Sequence, residues 1–138
     1  VSNDPFDYEQ WKNELEAVWR RIPKAFRTDA SVQRTLQCHL YGKLSQLGLQ
    51  VVPDFKPPRM PERPVDLIAL NDDGRIVCAI CLDTLVTLYA VKSLSAFDAE
   101  RKVILTTGHL EKKVRESRFF LKPEITHIHL KPFGDRLL

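Results

Sequence analysis

Three residues carry the chemistry open to this chain: Asp66 in Val65-Asp66-Leu67-Ile68-Ala69-Leu70, and Cys81 and Asp83 in Arg75-Ile76-Val77-Cys78-Ala79-Ile80-Cys81-Leu82-Asp83. Both stretches read as strands, and Asn71-Asp72-Asp73-Gly74 between them has the residues a hairpin turn requires. Side chains two apart on a strand share a face, so Cys81 and Asp83 fall on one face and the hairpin brings Asp66 beside them. Carboxylates gathered in this way build a site for a hard divalent cation such as magnesium. A thiol stands where such a site needs an acid, and soft sulfur suits zinc or iron better than magnesium.

Other groupings are weaker. Cys78 and Cys81 form a C-x-x-C that Cys38 and His39 would complete as a four-ligand zinc set. A zinc knuckle needs a tight turn between its two cysteines. Here Ala79-Ile80 continues a strand, so the two thiols point to opposite faces and read as buried and inert. His127 and His129 share one face of a late strand, with His109 after an earlier strand end, but no third ligand has suitable spacing. No nucleophile motif surrounds Cys81, although a Cys81–histidine pair stays open from sequence. Arg59, Arg63, Lys112, Lys113, Arg115 and Arg118 are the candidates for phosphate contacts. With Glu111 and Glu116 interleaved, any single one of the last four reads first as part of a solvated helix face.

The elements that position these groups follow from periodicity. Tyr8, Trp11, Leu15, Val18, Trp19 and Ile22 recur at helical spacing up to Pro23, with both tryptophans read as core anchors rather than as a platform for bases. A second helix is expected from Thr28 or Asp29 to Gly48, on a stripe of Val32, Leu36, Leu40, Leu44 and Leu47. Leu49–Val52 reads as a strand that Pro53 and Asp54 terminate, and 56–64 as a stiff, basic, proline-rich loop. Beyond the strand pair come a helix over Leu85–Phe97, a buried apolar strand over Lys102–Thr107, a charged helix over Leu110–Phe120 and a strand over Ile125–Leu130. Three sequential strands, a crossover helix and a further strand predict an α/β fold: a mixed central sheet flanked by helices.

At 138 residues, with 43% hydrophobic and 28% charged residues, the chain has the size and composition of one soluble globular domain. An N-terminal helical extension over 1–27 and a domain over 28–138 form one compact unit in this reading. No apolar run approaches the ~18 residues of a membrane span. No charged-then-apolar leader is read, and three cysteines suit a reducing compartment, so the expected address is cytoplasmic with no membrane partner. The net charge of +3 is uneven. From Lys92 onward ten Lys/Arg face six Asp/Glu, whereas 51–91 has four against six. A basic C-terminal third is compatible with a phosphate-backbone partner.

The order α-β-β-β-α-β, with Asp66 on the second strand and Ile80-Cys81-Leu82-Asp83 on the third, resembles the core of the PD-(D/E)xK nuclease superfamily, the restriction-endonuclease-like fold. The resemblance covers about Thr28 to Thr107 and rests on organisation more than on an intact motif. It implies magnesium-assisted phosphodiester hydrolysis, in which an Asp and a Glu hold the metal and a Lys helps activate water. Carried over, Asp66 matches the first acid, Cys81 the position of the Glu and Asp83 that of the Lys. An upstream Glu has no match among Asp29, Ala30, Ser31 and Gln33. Asp54 would add an oxygen ligand, and Lys92 would serve as a migrated lysine. The expected function is a pseudo-nuclease: a nuclease-like domain with a decayed site and no cofactor, binding DNA or another nucleic acid in a DNA-processing or mobile-element system. The alternatives are an active Mg²⁺-dependent phosphodiesterase using Asp66 and Asp83 with Asp54 and Lys92, and a module that binds a protein partner and keeps only the fold.

Overall fold

The computed structural model describes residues 3–58 and 63–133. Helix α1 (Tyr8–Arg21) begins where the Asp7 carboxylate accepts the Glu9 and Gln10 N–H groups, and it stops before Pro23. Helix α2 (Asp29–Gln46) is opened by a reciprocal cap between Thr28 and Ser31. Its Val32, Leu36, Leu40 and Leu44 are buried, as their spacing predicts, whereas Leu47, the fifth residue of the expected stripe, caps the helix end and is 44% exposed. Gly48, at φ +85°, turns the chain out of the helix.

Five strands follow in sheet order β1-β2-β3-β4-β5. They are β1 (Gln50–Phe55), β2 (Val65–Leu70), β3 (Ile76–Asp83), β4 (Ala99–Thr106) and β5 (Ile125–His129). β1/β2 and β2/β3 are antiparallel, and β3/β4 and β4/β5 are parallel. Helices α3 (Leu88–Ser95) and α4 (Glu111–Ser117) make the two crossovers, α4 leading into a 3-10 turn at Arg118–Phe120. The sheet is therefore mixed and flanked by four helices. Among the described residues no helix is long and apolar enough to cross a membrane.

Several boundaries differ from expectation: β4 begins at Ala99 rather than Lys102 and α3 ends at Ser95 rather than Phe97, and two further differences have clear physical reasons. β1 does not end at Pro53. As the first strand in the sheet order it pairs only with β2, so a proline there removes no essential ladder bond. Asp54 continues the strand at φ +51°, a conformation short acidic side chains tolerate better than most. α3 starts later than Leu85, because the Thr87 hydroxyl caps the Ala90 N–H.

Strand alternation splits the interior into two layers. Cys78, Ile80 and Leu82 of β3 join Leu67, Val103 and Leu105 under α1 and α2. Ala79 and Cys81 face the other way, with Ile68 and Ile104 under Val91 and Leu94 of α3. Trp11, Leu15 and Trp19 lie in the first layer with α2, so α1 shares one core with the sheet. It is also tied to the far end of the chain: the Glu16 carboxylate accepts the Lys131 N–H at 2.6 Å, and Arg20 donates to the Pro132 carbonyl at 2.6 Å. The β2–β3 turn forms as expected, with the Asn71 side chain accepting the Asp73 and Arg75 N–H groups and Gly74 at φ +77°.

Candidate functional site

The β2/β3 register sets Leu67 against Ile80 and Ile68 against Ala79, which places Asp66 across from Cys81 with Asp83 two residues on. The three sequence-selected residues thus meet at one end of the sheet. What lies between the carboxylates is Arg63. Its Nη2 donates to Asp66 Oδ2 at 2.9 Å, to Asp83 Oδ2 at 3.1 Å and to the Leu82 carbonyl at 3.1 Å. Asp66 Oδ2 also accepts the Leu82 N–H at 2.6 Å. A second guanidinium nitrogen reaches the Pro64 carbonyl, and the Arg63 carbonyl accepts the hydroxyl of buried Ser93 on α3 at 2.6 Å. Side-chain exposure is only 16% for Arg63, 18% for Asp66 and 24% for Asp83, so this is a largely desolvated cluster fixed to both strands and to α3.

The electrostatics follow from that burial. Desolvation is the largest influence on Arg63 and opposes its charge, but Cys81, Asp66 and Asp83 together outweigh it and hold its pKa above the ordinary value. The Asp83 pKa is raised as well, but by burial, which the Arg63 charge only partly offsets. Burial pushes the Cys81 thiol up to about 12, so it stays a neutral thiol at pH 7. Cys78 is raised to about 12 for the same reason, in the opposite layer. The C-x-x-C is therefore split across the sheet, as strand geometry predicts, while Cys38 is exposed.

The remaining candidates do not converge on the Asp66–Asp83 pair. Asp54 is exposed and turned toward α2, where Gln37 Nε2 donates to it at 2.9 Å and Arg34 approaches at 3.4 Å. The same Gln37 nitrogen donates to the Asp66 carbonyl at 2.8 Å and ties α2 to β2. An open cleft of about 480 Å³ between the start of α2 and Asp66 is bordered by Ser31, Gln33, Arg34 and Gln37, and among the described residues its only acid is Asp66. Lys92 is exposed on α3. Lys112, Lys113, Arg115 and Arg118 are exposed on α4 and the turn after it, and Arg59 lies outside the described residues. Among the described residues no three His, Cys, Asp or Glu side chains are grouped so as to hold a metal.

Magnesium therefore does not fit this arrangement. Two carboxylates already share a fixed cation, the third position is a neutral thiol, and among the described residues the further oxygen ligands that a hard cation demands are lacking. Sequence reasoning missed the role of Arg63, which it read as a phosphate contact. The available signal was an acid, Asp66, set among apolar residues of a strand, where a carboxylate needs a nearby positive charge. It also missed Thr106, a fully buried hydroxyl that contacts His127 Nε2 and His129 Nδ1, both at 2.8 Å. That shared contact explains the two same-face histidines without a metal.

No protein-family model matches the chain, and no curated protein matches it.

Proposed function

We propose that this chain is a catalytically decayed domain of the restriction-endonuclease-like kind that binds nucleic acid as an accessory component of a DNA-processing or mobile-element system. The observation that carries this reading is the single Arg63 nitrogen bridging Asp66 and Asp83. An ancestral metal site would hold its carboxylates apart by a divalent cation. A protein guanidinium in that place keeps the acids together, offsets one of their two charges and supplies no Lewis acid for a phosphate. The element order α2-β1-β2-β3-α3-β4, with β3 and β4 parallel, supports the same ancestry. The excess of Lys and Arg after Lys92 supports a polyanionic partner.

The test joins cleavage to binding. Plasmid and single-stranded DNA incubated with the protein and Mg²⁺ or Mn²⁺ are expected to stay intact. Gel shifts are expected to show binding that weakens steeply with salt. Cleavage that disappears in Asp66→Ala overturns the inert reading, and absence of any salt-dependent binding favours a protein-binding module instead.

A further inference from the structure

The face of the molecule carrying α3, α4 and the 3-10 turn combines exposed aromatic rings with an excess of positive charge. Phe119 is 86% exposed and Tyr89 53% exposed. Phe119 stands edge-on to Phe120 at 5.6 Å, so the two rings lie side by side on this face. The two segments lie side by side: the Val86 N–H just before α3 donates to the Ser117 hydroxyl at 3.1 Å, and Lys122 reaches Ser95 at the end of α3 at 3.4 Å. Around the rings are exposed Lys92, Lys112, Lys113, Arg115, Arg118 and Lys122. The acids of these segments are Glu111, Glu116 and Glu124, and Glu111 is paired with Lys131.

We propose that this face binds single-stranded DNA, with Phe119 and Tyr89 stacking on bases while the α4 cations follow the phosphates. This deepens, and rests on, the nucleic-acid reading above. Charge complementarity selects a polyanion, because six cations here face three acids. The rings select a single strand, since an aromatic side chain stacks on any unpaired base whereas duplex bases hide their faces from it. A hydrophobic partner would leave six cations to be desolvated. A duplex would leave an 86% exposed phenylalanine without a role. The carboxylate–arginine cluster takes no part, so this surface and the ancestral site are separate.

Fluorescence anisotropy with a labelled oligothymidine, its duplex and its RNA counterpart tests the assignment. Wild-type protein is expected to prefer the DNA single strand. Phe119→Ala and Tyr89→Ala are each expected to weaken it about tenfold with the salt slope unchanged. Lys113→Glu lowers affinity and flattens the salt slope, whereas Lys24→Glu, on the 3-10 turn after α1, leaves both unchanged. The exposure of Phe119 and Tyr89 means that their truncation removes little packing, and circular dichroism confirms the fold. Binding that persists undiminished in Phe119→Ala and Tyr89→Ala overturns this inference but leaves the general nucleic-acid reading standing. Tighter binding of duplex or RNA overturns the single-stranded DNA assignment. No binding of any nucleic acid by wild-type protein overturns both.

Discussion

The Asp66 and Asp83 carboxylates converge on one nitrogen of Arg63, at 2.9 and 3.1 Å. Two like charges on neighbouring strands repel unless a cation lies between them, so the pair and the arginine form one electrostatic unit rather than two separate ion pairs. The unit reaches from the residues before β2 to the end of β3, and Ser93 fastens its backbone to α3. Arg63 Nε is buried without an acceptor among the described residues, so the arginine holds its place by what Nη2 provides, not by full satisfaction of the guanidinium.

Arg63→Ala is expected to lower the unfolding free energy by about 2–3 kcal/mol, because it leaves two poorly solvated carboxylates together and deprives the Leu82 carbonyl of a donor. Urea denaturation measures this. Arg63→Lys should recover only part of the loss, since an ammonium in the place of Nη2 leaves the Pro64 carbonyl without the second guanidinium nitrogen. Added Mn²⁺ should raise the midpoint of Arg63→Ala, where the acids are freed, and leave that of the wild type where it is.

The three thiols should separate cleanly by reactivity. Cys38 is exposed, whereas Cys78 and Cys81 are buried and raised to about 12. Titration with a disulfide reagent at pH 8 is expected to modify only Cys38 in native protein, and all three in denaturant. Rapid native modification of Cys81 would contradict its placement under α3.

Much of this architecture was legible because strand and helix faces are written in local periodicity. Cys78, Ile80 and Leu82 against Ala79 and Cys81 is a period-two split, and it appears in the two interior layers as read. Val32, Leu36, Leu40 and Leu44 likewise mark the buried face of α2. Pro53 was not legible as a strand residue, because whether a proline breaks a strand depends on whether that strand lies at an edge, which is a property of the sheet. Arg63 was hidden for a similar reason. Its partner Asp83 is 20 residues away, and no local pattern distinguishes an arginine that turns inward from one that faces solvent.

The histidine pair predicts acid sensitivity. Burial, then the charge of Arg118 and the neighbouring His129, lower His127 from 6.5 to about 4. His129 is lowered as well, by burial first and then by Lys131, against the opposing influence of Glu111. A folded pKa below the unfolded one means that the unfolded chain binds more protons between about pH 6.5 and 4. The stability present above pH 6.5 should therefore fall as the pH drops through that window. Urea midpoints of wild type and of His127→Gln/His129→Gln should converge toward pH 4. Parallel pH profiles would refute it.

Gly108→Ala should be strongly destabilising despite its small size. An added Cβ would lie 2.7 Å from the Thr84 backbone carbonyl and 3.1 Å from Val114, and the carbonyl is held in place by the Gly108 N–H at 2.9 Å. A loss of about 1–3 kcal/mol is expected in thermal or urea unfolding. Gly42, with open space at its Cβ, should accept alanine with little change or a small gain.

The bonds from Glu16 to Lys131 and from Arg20 to Pro132 bear on how the chain folds. They close loops of 115 and 112 residues, so α1 has no complete anchor until the segment after β5 is in place. Contacts of such sequence separation are slow to form and couple α1 to the segment after β5. Helix α1, made before every strand it packs against, is then among the last of these elements to be locked, and loosening the segment after β5 loosens α1 as well.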